Sequence, residues 1–417
     1  MVLNDTNISG RLPDSIGNMR NLSRIELVDC SFYGNIPSSL TNLSRLSYLD
    51  LSFNNFTGSI PSLSKSKNLT HIILYYNNLT GPIDSTEWES LLSLLILNLE
   101  FNLFEGNIPS SLFTRPSIRE LRLSNNRFSG QLKGFFNAPL QMLKTLDLSN
   151  NNIGGELPTS IWELRGLNVL SLSSNNFSGS FHINLVQQLR NLWDLDLSYN
   201  HFSIDATNTA PQDSSFPDLQ DLNLASCQLT TLPRFLANQS TLFFLDLSHN
   251  YIKGDIPRWI WTLENLNHLN LSSNFFEDME TPLGNLTFPL DFIDLHSNML
   301  RGNMPPLSSY ASYFDFSSNK INAIIPDDIN ILNSMFFSLS KNNFLGSIPK
   351  SIYKAGYLDV LDLLHNHLNG TILDCLMMAS PKVLNLQNNQ LSGDIPQNIS
   401  STCDLKILDI SENFLQG

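Results

Sequence analysis

Along the whole chain, apolar residues come in pairs separated by one residue, usually polar, with an asparagine three places after the second member. The phrase Leu49-Asp-Leu-Ser-Phe-Asn54 returns as Leu146-Asp-Leu-Ser-Asn-Asn151, Leu195-Asp-Leu-Ser-Tyr-Asn200, Leu245-Asp-Leu-Ser-His-Asn250 and Leu408-Asp-Ile-Ser-Glu-Asn413. Alternation with period two puts both apolar members on one side of a short strand. One such strand closes no core, but stacked copies share a continuous one. The asparagine just past the strand is predicted to turn inward, where its amide binds main-chain groups that the bend leaves unpaired.

This ladder slot occurs at 18 positions from Thr6 to Asn413, and asparagine fills 15 of them, with Thr6, Cys30 and Cys227 as the exceptions. Neighbouring slots lie mostly 23 to 25 residues apart, which is the period of a leucine-rich repeat. Cys30 and Cys227 fit the slot as small buried residues with a weak thiol donor. The second half of each coil reads G-x-I-P, as in Gly58-Ser-Ile-Pro61, Gly106-Asn-Ile-Pro109 and Gly254-Asp-Ile-Pro257. Glycine permits a turn, proline fixes φ, and the isoleucine between them packs inward. The expected fold is of the α/β-type solenoid class: a leucine-rich-repeat superhelix of about 18 coils. It carries a parallel β-sheet on its concave face and mostly non-helical turns and 3-10 segments on its convex face. Residues 1–417 read as a single solenoid, and strands roughly 4.8 Å apart would give it a span of about 80 Å.

The wording breaks in places. The step from Asn200 to Cys227 is 27 residues, and Ser203 to Ser215 lacks G-x-I-P, which predicts a looped coil; the step from Asn298 to Asn319 is only 21, with Pro305-Pro306 stiffening it. Segments Asp84 to Leu92, Lys133 to Gln141 and Phe276 to Phe288 also depart from the repeat. Each break suits a change of curvature or a binding edge, and drift without function explains it equally well.

Outward strand positions carry the candidate chemistry. Four places before the ladder slot stand Asp50, Asp147, Asp196, Asp246, Asp294, Asp315, Asp362 and Asp409, an acidic stripe. It either keeps the sheet face solvated or steers a cation or basic peptide. The more variable positions hold Tyr48, Phe53, Tyr76, Phe101, Trp193, Tyr199, Phe244, His249, His268, His296 and His365. Aromatic anchors often dominate binding energy, so this set is read as possible concave-face contacts to a protein or peptide.

A formal charge of -14 without any basic run argues against nucleic acid or an anionic membrane as partner. Four scattered cysteines make no disulfide framework, and Cys375 and Cys403 do not resemble a cap pair. The eight histidines are dispersed, without metal-ligand spacing. There is no G-x-S-x-G elbow, phosphate loop or dinucleotide fingerprint. The expectation is therefore no enzyme, no cofactor and no metal. The first residues lack the pattern of a signal peptide, and no run of about 18 apolar residues spans a bilayer. With no caps recognisable, the chain reads as truncated at both ends. Glycosylation sequons begin at Asn4, Asn7, Asn21, Asn42, Asn55, Asn68, Asn78, Asn176, Asn238, Asn270, Asn285, Asn369 and Asn398. Asn270 stands within a strand phrase, so a glycan there would intrude on the concave face.

Several phrases go beyond a generic repeat: Val28-Asp-Cys30 with Phe32-Tyr-Gly34, Asn35-Ile-Pro-Ser-Ser-Leu40, Leu224-Ala-Ser-Cys-Gln-Leu229, Phe235-Leu-Ala-Asn-Gln-Ser240 and Asp255-Ile-Pro-Arg-Trp-Ile-Trp261. In these the chain resembles the plant-specific leucine-rich repeats of receptor-like proteins, the family that includes the tomato leaf-mould and Verticillium-wilt resistance receptors. The resemblance implies the central part of an ectodomain outside the plasma membrane. The full-length protein would have a single-pass anchor, a short tail and no kinase domain. It would sense a peptide or protein, a defence elicitor in the first instance, and signal through leucine-rich-repeat co-receptor and adaptor kinases. Three alternatives stay open: the ectodomain of a leucine-rich-repeat receptor kinase, a secreted inhibitor of the polygalacturonase-inhibitor kind, and a fragment without signalling ability.

Overall fold

The computed structural model describes residues 1–83, 88–113, 115–134, 142–207, 216–280, 290–304, 307, 310–372, 381–395 and 404–416. The breaks at 84–92, 133–141, 203–215 and 276–288 fall partly outside these residues, and Pro305, Pro306, Cys375, Cys403, Asn285 and Asn398 wholly so. The chain forms two compact units, built on Met1–Asp205 and on Gln220–Gly417.

In the first unit eight three-residue strands, from Arg24–Glu26 to Asp194–Asp196, pair in parallel, one per coil. Their central residues run in register from Ile25 through Leu49 and Ile72 to Leu195, and all are buried. In the second unit nine strands from Asp221–Asn223 to Ile407–Asp409 repeat the arrangement. Each coil adds a second inward residue just past the strand, such as Leu51 or Leu247, also fully buried. Every such side chain removed from water contributes roughly 1.5–3 kcal/mol before the entropy of ordering is counted.

All fifteen ladder asparagines act alike. Asn151 donates to the carbonyls of Leu148 and Ser149 in its own coil and of Leu123 in the preceding one, and its Oδ1 accepts the Phe128 N–H at 3.0 Å. The side chain thus does the work of a strand partner where the backbone turns away. Cys30 donates to Leu3 and Val28 in the same pattern, and Cys227 to Ala225. The residue before each of these asparagines takes a left-handed backbone, with φ between 51° and 56°.

Beyond the ladder the chain enters a second strand layer. It is non-helical there, as the sequence predicts, and it adds a pairing that the sequence reading does not name: eight strands from Tyr33–Asn35 to His201–Asp205 form one parallel sheet in the first unit. The second unit has a pair, Lys253–Ile256 with Phe275–Met279, and a set of four from Leu345–Ser347 to Phe414–Gln416. Each coil's main chain meets the next with a constant offset: the residue three past one ladder slot pairs with the residue one past the following slot, as Tyr33 does with Asn55 and Gly154 with Asn176. Phenylalanines two places past the ladder slot stack beneath this layer, as Phe177 and Phe202 do at 6.0 Å. Among the described residues there are eight 3-10 helices, and seven of them start directly after a proline whose φ lies between -65° and -77°.

Candidate recognition face

The acidic stripe has a structural task in the coil. Oδ1 of Asp147 accepts the Ser149 backbone N–H at 3.0 Å and its hydroxyl at 2.7 Å, and Asp50, Asp196 and Asp409 hold their serines in the same way. This acceptor turns the chain out of the strand. Where aspartate is missing, Asn98, Asn223, Asn270 and Asn385 accept the same backbone N–H. The bond therefore needs an acceptor, not a charge, and the turn forms even where Ile73 and Arg122 hold the slot.

The eleven candidate contacts separate into groups. Tyr48, Phe244 and His268 open their strands, Trp193 stands one residue before Asp194–Asp196, and His296 lies two residues past Phe292–Asp294. The other six are not strand residues. Phe53, Tyr76, Phe101, Tyr199, His249 and His365 occupy the left-handed position before the ladder asparagine and are exposed at the rim of the sheet. Period-two counting carried them onto the sheet face, but the positive φ ends the alternation one residue earlier. In the first unit Phe53 stacks on Tyr76 at 5.1 Å and Tyr76 on Phe101 at 4.6 Å, a continuous exposed aromatic edge.

On the second unit's sheet a column of rings crosses five strands. Phe244, His268, Phe292, Tyr313 and Phe336 share the first strand position. Their centroids are 4.3, 4.0, 4.3 and 4.5 Å apart and the planes lie within 15° of parallel. Three of the five, Phe292, Tyr313 and Phe336, were not singled out from the sequence; the same strand position recurring coil after coil was the available signal. Each ring covers its neighbours' faces and leaves its edge toward the open side. Burial in the column depresses the His268 imidazole to about 4, against a smaller opposing effect of Asp294.

Two residues along each strand runs the row Asp246, Asn270, Asp294, Asp315. Burial raises the carboxyl groups of Asp246 and Asp315, with the Asp294 charge adding to both. His296 Nδ1 lies 2.6 Å from Asp294 Oδ1, and this hydrogen bond raises the imidazole. Asp294, His296 and Asp315 bring one ligand atom each to within 4.8 Å of one another, the one group among the described residues with the makings of a cation site. Histidine spacing along the sequence did not reveal it, because two of its members are carboxylates on adjacent coils.

On the first unit's face two arginines pair with carboxylates of the same face. Arg24 bonds Glu26 and sets its guanidinium 3.8 Å from the centre of the Tyr48 ring, and Arg122 pairs with Glu120 and approaches Glu100. Burial, then the nearby Asp147, raises Glu100.

Of the sequons, Asn7, Asn21, Asn42, Asn55, Asn68, Asn78, Asn176, Asn238 and Asn369 are exposed, while Asn4 and Asn270 are half-buried. Among the described residues no helix is long and apolar enough to cross a membrane.

Stacked coils with a strand, an asparagine ladder and a proline-led turn make each unit a leucine-rich-repeat solenoid. Family models described as leucine rich repeat match residues 45–66, 116–177, 217–276 and 380–402. Receptor-like protein 54 of Arabidopsis thaliana is 36% identical over 137 residues, 32% of this chain and 17% of that protein. Receptor-like protein 35 of the same plant is 34% identical over 165 residues, 36% of this chain and 18% of that protein. The alignments thus span less than a fifth of these relatives' length. Among solved structures, the plant peptide hormone receptor RGFR1 in complex with RGF2 is similar with a TM-score of 0.81 and 28% identity, covering 100% of this chain and 70% of that one. The ectodomain of the Arabidopsis receptor kinase HAESA in complex with an IDA peptide hormone gives 0.78 and 28%, covering 100% and 74%. The chain is a leucine-rich-repeat, receptor-like ectodomain, homologous to the Arabidopsis receptor-like proteins and to the ectodomains of leucine-rich-repeat receptor kinases.

Proposed function

We propose that this chain is the ligand-recognition part of a plant cell-surface receptor, that it takes an extended peptide along the strand face of the second unit, and that it pairs with a leucine-rich-repeat co-receptor kinase. The observation that carries this is the column of five stacked rings with open edges, a rigid aromatic rail beside a row of polar and acidic residues. Rings already held by their neighbours lose little freedom on binding, which favours them as anchors. Support comes from the solved ectodomains that cover the whole chain, two of which are described as complexes with peptide hormones and a third as HAESA with IDA and the co-receptor SERK1.

These likenesses favour the ectodomain of a receptor kinase. A receptor-like protein without a kinase is the second reading, favoured by the names of the curated relatives. In both, the ectodomain stands outside the plasma membrane and carries glycans on exposed sequons. The full-length transcript separates them: a kinase domain encoded downstream of residue 417 supports the first, and a membrane anchor with a short tail the second.

Panning a random peptide library against the chain secreted from plant cells tests the recognition reading. Binders are expected to compete with one another and to lose affinity at least tenfold when Phe292 is replaced by serine. A library that yields no binder overturns the proposal.

A further inference from the structure

The occupant of the second unit's face can be narrowed by its charge. None of the nine strands there, nor the two residues following each, contains lysine or arginine: the segments run from Asp221-Leu-Asn-Leu-Ala225 through Phe292-Ile-Asp-Leu-His296 to Ile407-Leu-Asp-Ile-Ser411. Among the described residues the ion pairs of this unit are Lys382 with Asp359 and His296 with Asp294. Asp246 therefore lies buried without a cation, and Asp294 and Asp315 share a single imidazole, that of His296.

The first unit shows what the same surface does when a cation is supplied. There a carboxylate two residues from the first strand position, Glu26, is bonded by a guanidinium that also lies against the neighbouring ring. On the second unit the ring column and the carboxylate row keep that relation, at about 6.6 Å for two strand residues, but the arginine is missing. Turn formation engages Oδ1 of Asp294 and of Asp315. A carboxylate offers a second oxygen, and two carboxylates one coil apart suit the diverging N–H groups of a single guanidinium better than the point charge of an ammonium.

We infer that the peptide taken by this face is basic and extended. One of its arginines bridges Asp294 and Asp315, a second meets Asp246, and apolar side chains between them lie along the edges of Phe292 and Tyr313. This rests on the peptide-recognition reading above and specifies its ligand class. Asp246 and Asp294 are two coils apart, about 10 Å at the usual strand spacing. Three residues of an extended polyproline II peptide cover about the same distance and return the side chain to the same face, so arginines at every third place match the row.

The test uses a fluorescein-labelled nonapeptide of three Arg-Leu-Gly repeats and its citrulline counterpart, which keeps the shape and removes the charge. Anisotropy titration of the secreted chain is expected to show the arginine form binding at least tenfold more tightly at 50 mM salt. The preference should shrink at 300 mM and should not change with EDTA. The Asp294→Asn/Asp315→Asn variant keeps the turn acceptors, as Asn270 does in the neighbouring coil, and is expected to lose that preference. Phe292→Ser/Tyr313→Ser is expected to weaken both peptides alike. Equal binding of the two peptides, or an unchanged preference in the asparagine variant, overturns the inference; loss of binding on EDTA overturns it in favour of a divalent cation at Asp294, His296 and Asp315. Library binders that lack basic residues and are indifferent to the asparagine variant would also overturn it and leave peptide recognition standing, whereas an empty library removes both.

Discussion

His268 lies flat against Phe292, with ring centres 4.0 Å apart and planes 7° from parallel. Phe244 covers its other face at 4.3 Å. Burial holds the folded value near 4 against 6.5 in a free chain. The unfolded protein therefore takes up a proton that the folded one refuses, so the associated stability is fully present above pH 6.5 and drains away toward pH 4. Allowing for the ring edge that water still reaches, about 1–2 kcal/mol is at stake. Melting temperatures between pH 7.5 and 4.5 should fall less steeply for His268→Phe than for the parent chain. Parallel curves would refute the assignment. His296 has the opposite sign: its hydrogen bond to Asp294 raises it, so its contribution is complete below pH 6.5 and lost as pH climbs past the raised value. His296→Gln should flatten that alkaline limb.

The ladder predicts a large cost at one residue. Asn250 is 3% exposed, donates to Leu224, Leu247 and Ser248, and accepts from the N–H groups of Cys227 and Leu229. Asn250→Ala orphans five buried main-chain groups and should cost about 3 kcal/mol. Asn250→Cys, which installs the residue that serves at position 227, should cost less. Urea midpoints at constant slope measure both.

The aspartate phrase is expected to separate charge from geometry. Asp147→Asn keeps an acceptor for Ser149 and should stay within about 0.5 kcal/mol of the parent, while Asp147→Ala loses the turn bond and should cost about 1 kcal/mol. Equal losses in thermal unfolding would mean that the charge itself matters there.

Gly254 has φ +90° and open space where a β-carbon would stand, so its requirement is conformational alone. Gly254→Ala should cost about 1 kcal/mol, whereas Gly356→Ala, equally uncrowded but with an ordinary φ, should be neutral or slightly stabilising. Chemical denaturation of the two variants side by side decides it.

Sequon occupancy should follow amide commitment. The Asn270 amide donates to Asp246 Oδ2 at 3.2 Å and its carbonyl holds Ser272, whereas Asn176 and Asn369 are exposed at second-layer strands. Peptide mapping of chain secreted from plant cells should find glycan at Asn176 and Asn369 and none at Asn270.

Much of the coil was legible because its rules are local. Leu146 and Leu148 share the buried face by strand alternation and Asn151 turns inward after one bend, and a reader of the sequence can count both. The second strand layer was less so, since Gly154 pairs with Asn176 two places out of step with the ladder, an offset that appears only where one coil's main chain meets the next. The recognition face was legible in part. Phe244 and His268 stood out as aromatic or histidine, but that they form one column with Phe292, Tyr313 and Phe336 depends on side-by-side register across coils. The rim residues were misplaced for a related reason: Tyr199 and His249 need a positive φ that only the ladder turn imposes.

The ladder has a further consequence. Each asparagine reaches back to the coil before it, so every coil offers the same carbonyl and N–H to its successor and asks the same of its predecessor. Removing one entire repeat brings together two surfaces that already match, while removing part of one leaves a mismatch at both joins. Such a protein changes length in whole steps of about two dozen residues, and its reach along a ligand can be lengthened or shortened by duplication or loss without redesigning a single contact.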